Sequence, residues 1–375
     1  MMVLFGVLGV GLLLAYANGA NDNYKGVATL LGSGTASYRR ALVWATVTTA
    51  LGSLTALVLA RGLLVAFSGK GLVPPDVVAD PVFATAVALA AGLTVLLATL
   101  RGFPISTTHA LLGGLVGAGL MASPGGIDVG TLAGGFLLPL LTSPVLAFVF
   151  AGGVYPPLRA ARRKLGISQE TCVCVGSEVI GVVPGAPGAV AALNAVMLPT
   201  LTVDQSASCR VRYNGTLRGA SARTLLDSAH YASAGAVSFA RGLNDTPKIA
   251  ALLLVGNLLA PGLALISVGL VMATGGLISA RRVARTMSHE VTTMSPGQGF
   301  TANALTSLLV IGASALGLPV STTHVSCGAL FGIGTVTRQA HWRTIRHILL
   351  AWVVTLPMAA ALGALFVGLW RTVAL

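Results

Sequence analysis

The sequence predicts an all-α polytopic membrane protein: two inverted-topology repeats of about five crossings each, with broken helices around a central site at the membrane midplane. Three observations carry this reading. The 375-residue chain is 55% hydrophobic and only 9% charged, whereas soluble domains carry about 25% charged residues. Two polar motifs occur twice, in the same order. The basic residues of the flanking turns change sides between the first set of motifs and the second.

Apolar runs near 3–20, 41–67, 82–100, 129–151, 249–280, 299–316 and 347–370 suit spanning helices, which need roughly 20 residues. Lipid offers the backbone no hydrogen bonds, so only helices or closed barrels span it. The ten-residue alternating strands of a barrel are not seen, which leaves a helical bundle in the lipid bilayer. The first run has no basic flank and leads straight into a polar motif, so it reads as a retained helix rather than a signal peptide. The formal net charge of +13 sits in short loops, as the positive-inside bias requires. With no soluble basic domain and no reader motif, nucleic acid is excluded as a partner.

Four cysteines are too few for a disulfide scaffold. Cys172, Cys174 and Cys209 share one polar segment and Cys327 lies in a helix. The expectation is reduced thiols, with a metal-binding thiol cluster as the alternative. Asn214-Gly215-Thr216 matches a glycosylation sequon, which carries no meaning in a cytoplasmic loop.

The repeats define the organisation. Asn18-Gly19-Ala20-Asn21-Asp22-Asn23-Tyr24-Lys25 aligns with Arg241-Gly242-Leu243-Asn244-Asp245-Thr246-Pro247-Lys248. Phe103-Pro104-Ile105-Ser106-Thr107-Thr108-His109 aligns with Leu318-Pro319-Val320-Ser321-Thr322-Thr323-His324, and a small-residue helix follows each. In the first half Arg101 precedes the Ser-Thr-Thr motif and the turn at 122–128 has no base. In the second half the turn at 315–318 is neutral, and Arg338, Arg343 and Arg346 follow the helix. Matching helices therefore run in opposite directions, an architecture common among secondary transporters. The expected domains are repeat A at 1–154, a cytoplasmic basic linker at 155–225 and repeat B at 226–375. Both termini lie outside, and the part-apolar stretch 176–203 leaves membrane contact by the linker open.

As one straight helix, Val3 to Gly34 would span roughly 48 Å against about 30 Å of hydrocarbon. Gly19, Asn21 and Asn23 are poor helix formers, so the expectation is two half-helices meeting at the Asn-Asp motif. The second copy is read alike over 228–260, with Pro247 opening the next half. Asp22 and Asp245 then lie near the midplane, where a charge marks function by default. The plain alternative is a pair of internal salt bridges, Asp22 with Lys25 and Asp245 with Lys248. Pro104 and Pro319 are expected to start short helices whose free N–H groups, with the Ser and Thr hydroxyls, form an oxyanion site. The same hydroxyls suit a small hard cation beside an Asp, or bonds between packed helices.

Paired Gly-x-Asn-Asp and Pro-[Ile/Val]-Ser-Thr-Thr-His segments in inverted halves resemble the PiT family of inorganic phosphate transporters. The resemblance covers roughly 3–150 and 226–370. It implies a cation-coupled symporter, not an enzyme, for inorganic phosphate in the plasma (inner) membrane, with no cofactor beyond co-transported H+ or Na+; a homodimer is compatible with it. Carried over, the substrate site comprises Asn21, Asp22, Ser106, Thr107, Thr108, Asn244, Asp245, Ser321, Thr322 and Thr323, with a sodium ion at Asp22 and Asp245 beside Ser106 and Ser321. Lys25 and Lys248 stand where many members have Asn; an ammonium there replaces a sodium ion or neutralises the anion, which points to H+ over Na+. Arg241 replaces a common His and suits a bidentate grip on phosphate, or else snorkels or pairs with Asp227 or Asp245. His109 and His324 read as packed rings or as a proton relay. Sulfate or another tetrahedral oxyanion is the nearest alternative substrate, and phosphate is favoured because it carries a proton at pH 7 and can donate a hydrogen bond to a carboxylate. An intramembrane protease is the remote alternative, opposed by the duplication of Asp, Ser and His.

Overall fold

The computed structural model describes residues 2–123, 126–184, 193–213, 218–257 and 259–373. Pro124 and Gly125 of the neutral turn and the sequon Asn214-Gly215-Thr216 lie outside the described residues. Two compact units result: Met1–Tyr155 with His230–Leu375, and Pro156–Ala229.

The first unit opens with α1 (Met2–Asp22), a short α2 (Ala28–Gly32) and α3 (Tyr38–Leu59). Next come α4 (Arg61–Phe67), α5 (Pro75–Ala79) and α6 (Pro81–Leu100). A sharp turn leads to α7 (Thr107–Ala122), and a π-helical turn at Thr131–Leu137 runs into α8 (Leu138–Lys164).

The second unit contains β1 (Thr171–Pro184), β2 (Leu193–Gln205), α9 (Ser206–Arg212) and β3 (Arg218–Ser221), with strand order β2-β1-β3 and antiparallel pairing. The all-α expectation is corrected here. Thr171-Cys172-Val173-Cys174-Val175 alternates, with both cysteines buried and both valines more than a third exposed; that is the period of a half-buried strand. The described residues of the part-apolar stretch, 176–184 and 193–203, belong to β1 and β2. The expectation of reduced thiols is also corrected: Cys174 and Cys209 form a disulfide, packed with Cys172 and Tyr213.

The chain returns through α10 (Ala222–Leu253), α11 (Pro261–Ser279), α12 (Arg281–Arg285), α13 (Pro296–Ala315), α14 (Thr322–Thr337) and α15 (Trp342–Val373). Among the described residues, five helical stretches are long and apolar enough to cross a membrane: Tyr38–Leu59, Pro81–Leu100, Thr131–Lys164, Pro261–Ser279 and Trp342–Val373. The helices α1, α7, α10 and α14 carry the polar motifs between them.

The turns before the Ser-Thr-Thr motifs are built alike. Gly102 and Gly317 adopt φ of 76° and 70°, a left-handed conformation that glycine takes without a Cβ penalty. They close α6 and α13 with paired bonds: Phe103 N to Ala98 O at 3.0 Å and Leu318 N to Ala313 O at 2.9 Å, a Schellman-type ending. Pro104 and Pro319 do not start the next helices. Ser106 and Ser321 do, as extended N-caps whose hydroxyls accept from His109 N and His324 N at 3.1 and 3.2 Å, relieving one of the unbonded donors of a first turn.

Two helices do meet at the first Asp motif, Met2–Asp22 and Ala28–Gly32, whereas the break expected at the second is corrected. The first helix stays regular through Asp22 and loosens into a 3-10 turn at Lys25–Val27. The second runs unbroken through Pro247 to Leu253 and ends before Gly256 at φ 69°. The motif glycines serve helix contact instead. A Cβ on Gly19 would lie 1.9 Å from Met272 O of α11, and one on Gly242 would lie 2.1 Å from Thr49 O of α3. Each motif helix thus presses its glycine onto a helix of the other repeat. The small-residue helices do the same: a Cβ on Gly117 would meet Ala360 O of α15 at 1.8 Å, and one on Gly332 would meet Phe148 O of α8 at 2.2 Å. This is the small-residue packing that helices use where the hydrophobic effect does not drive association. The repeats are interleaved.

Candidate functional site

The polar motifs meet in the core of the first unit. Asp22, Lys25, Arg241, Asp245 and Lys248 are each no more than 4% exposed. Lys25 Nζ donates to Asp22 Oδ1, and also to Asn21 Oδ1, Ile105 O and Thr323 Oγ1, each at 2.7 Å. Lys248 Nζ donates to Val320 O at 2.6 Å and Thr108 Oγ1 at 2.8 Å, with Asp245 Oδ1 at 3.8 Å. Ile105 corresponds to Val320 in the repeat, and Thr323 to Thr108. Each lysine therefore reaches across to the hydroxyl of the opposite repeat, and the pattern is returned. The threonines close it: Thr323 Oγ1 donates to Ile105 O at 3.1 Å and Thr108 Oγ1 to Val320 O at 3.3 Å.

The carboxylates are held by a residue outside the expected set. Asn18 Nδ2 donates to Asp22 Oδ2 at 2.8 Å, to Thr107 Oγ1 at 3.0 Å and to Asp245 Oδ2 at 3.2 Å. Thr107 Oγ1 donates to Asp22 Oδ2 at 2.9 Å. Asn18 Oδ1 in turn accepts from Arg241 Nη2 at 2.7 Å. Arg241 Nη1 donates to Asn23 Oδ1 at 3.0 Å, and its Nε lies 3.8 Å from Asp245 Oδ2 with no hydrogen-bond partner. Pairing with Asp245 is thus seen, whereas the surface ion pair of Asp227 is with Arg223.

The asparagines of the motifs orient the turns. Asn21 Nδ2 donates to Thr99 Oγ1 and Phe103 O at 2.8 and 3.0 Å. Asn244 Nδ2 donates to Asp245 Oδ1, Thr322 Oγ1 and Val320 O at 2.9, 3.1 and 3.2 Å, and its Oδ1 accepts from Ser314 at 3.2 Å. Thr99 and Ser314 each stand five residues before a motif proline, a duplicated hydroxyl that the motif comparison stopped short of. Asn18 and Arg241 also share an aligned position, and their chemical difference hid the match.

Ser106 and Ser321 are engaged as caps, so the hydroxyls expected beside a sodium ion are turned to the helix N-termini. The His109 and His324 rings meet at a tilt of 50°, with centroids 4.3 Å apart, and His324 stacks on Trp352 at 3.7 Å. His109 Nδ1 lies 3.2 Å from Ser106 Oγ, and His324 Nε2 has no partner. An apolar cavity of about 600 Å³ adjoins this pair, lined by residues such as Leu140, Phe148, Phe331 and Trp352. Its lining is mostly apolar, with His109 and His324 among the residues that border it.

In their ordinary ionised forms the site holds three cations against two carboxylates. Burying unbalanced charge is costly, and an anion would correct the excess. All five of these charged side chains are buried.

A helical membrane protein with a closed, charged site shared by two repeats is a transport protein in class. The chain belongs to the phosphate transporter family, whose profile matches residues 18–363. It is similar to a Rhizobium meliloti protein named "Probable low-affinity inorganic phosphate transporter", at 29% identity over 97% of this chain and 95% of that one. It is similar also to a candidate phosphate permease of Pyrococcus abyssi, at 27% identity over 96% of each. A solved structure titled "The sodium-dependent phosphate transporter" shares the fold, with a TM-score of 0.76, 20% identity and full coverage of both chains.

Proposed function

We propose that the protein imports inorganic phosphate by cation-coupled symport, through alternating access of the central site, with H+ rather than Na+ as the coupling ion. The observation that carries this is the buried excess of one positive charge among Lys25, Arg241, Lys248, Asp22 and Asp245, bordered by the first turns of α7 and α14. Free N–H groups at two such helix starts favour an oxyanion. Thr107, Thr108, Thr322 and Thr323 supply hydroxyls, Ser106 and Ser321 hold the turns, Asn21 braces the first turn and Lys25, and Asn244 holds Asp245. A phosphate that carries a proton can donate it to Asp22 or Asp245; sulfate cannot.

Under this reading the two repeats are inverted about an axis in the membrane plane, which the reciprocal lysine contacts support. The protein sits in the plasma (inner) membrane with both termini outside and the segment 155–225 in the cytoplasm. His109 and His324 stand beside the site as the proton-relay pair. The test is uptake of labelled phosphate into proteoliposomes: arsenate should compete and sulfate should not. Competition by sulfate as strong as that by arsenate would favour the general oxyanion reading instead.

A further inference from the structure

Lys25 is held as an ion is held, beyond what a salt bridge needs. An ammonium has three N–H donors, yet four oxygens converge on Lys25 Nζ: those of Asp22, Asn21, Ile105 and Thr323. They are a carboxylate, an amide, a backbone carbonyl and a hydroxyl. They come from α1, from the turn before α7 and from the first turn of α14, so both repeats contribute. An all-oxygen shell of mixed carboxylate, carbonyl and hydroxyl donors is the kind a small hard cation takes. The side chain of Lys25 already fills that shell, and no second cation fits with it.

The matching shell in the other repeat is filled by Lys248. Its ammonium takes Val320 O and Thr108 Oγ1 at hydrogen-bond distance and faces Asp245 at 3.8 Å. Two of its three donors are engaged there, so the second position is held more loosely than the first.

We infer that Lys25 and Lys248 are tethered cations, filling the oxygen shells beside Asp22 and Asp245 that a free Na+ would otherwise take. This chain then binds no sodium at either carboxylate. The transport consequence rests on the phosphate-symport reading: the charge that crosses with phosphate must come from protons, because the two built-in cations cannot leave.

The test reads sodium binding directly, apart from transport. Purified wild-type protein in detergent is unfolded thermally in sodium chloride and in choline chloride at equal ionic strength. A ligand that binds only the folded state raises the midpoint, so the two wild-type midpoints should coincide. Lys25→Asn removes the ammonium and leaves an oxygen cage with an added amide. Its midpoint should fall in choline and recover in sodium by about 2 °C or more. If Lys25→Asn does not fold, Lys248→Asn carries the same comparison. A sodium-specific rise in the wild type would overturn the inference, as would a folded variant blind to sodium. Absence of phosphate uptake with no sodium response would remove the transport reading alone. Strictly sodium-dependent phosphate uptake would remove this inference and the proton coupling, and would keep only phosphate as the substrate.

Discussion

Asn18 touches both carboxylates, a threonine of α7 and Arg241, so one amide ties the two repeats together. Around it, Asp22 and Asp245 carry the only negative charge among the described site residues. Asp22→Asn and Asp245→Asn should each lower concentrative phosphate uptake at least tenfold, equivalent to about 1.4 kcal/mol. Folding should survive, since an amide oxygen still accepts from the facing lysine. Removing a partner outright from a buried pair costs about 3–5 kcal/mol, so the Ala variants are the poorer test. Wild-type uptake rates in both Asn variants, at matched protein levels, would contradict the central role of the carboxylates. The aspartates and lysines of this site were legible because each appears twice at one spacing. Asn18 was not, because its repeat partner is an arginine and no identity marks the position. Residues at equivalent positions near a two-fold relation meet one another, and the contacts of Asn18 with Arg241 and of His109 with His324 are instances of it.

At the scale of elements, the helix order, the turns before the motif prolines and the small-residue helices could be read from the chain. The function of the motif glycines could not. Intrinsic propensity points to a break at each motif; the first helix does end at Asp22, whereas α10 runs on through Pro247, and both Gly19 and Gly242 use the missing Cβ for close approach. The prediction follows that Gly242→Ala lowers the thermal midpoint, because its Cβ would sit 2.1 Å from Thr49 O; overpacking of this kind costs about 1–3 kcal/mol. Gly9→Ala on α1 is the control, with no heavy atom within 4 Å of the added carbon and a helix propensity that improves. Equal midpoints for both variants would show that α10 does not depend on contact with α3. The hairpin at 171–205 was missed for a different reason. Its strands alternate over only a few residues, and the search for membrane runs weighs hydrophobicity over longer windows.

For the whole molecule, the charge of the turns and the chemistry of the linker pull in different directions. The basic residues between 155 and 225 place that segment in the cytoplasm by the positive-inside rule, while a Cys174–Cys209 disulfide is the usual mark of an oxidising compartment. A topology measurement decides without reference to either cue. A cysteine at Val129, which is 72% exposed, should label from outside the cell, and one at exposed Gln339 only from inside. Labelling of both from one side would remove the inverted arrangement of the repeats. The central claim, that the closed charged site moves phosphate with protons, is tested most directly by labelled phosphate uptake into proteoliposomes with proton and sodium gradients imposed separately. The account predicts accumulation driven by an inward proton gradient in sodium-free buffer, with no gain when an inward sodium gradient is added. Accumulation only under a sodium gradient, or none under either, would contradict it.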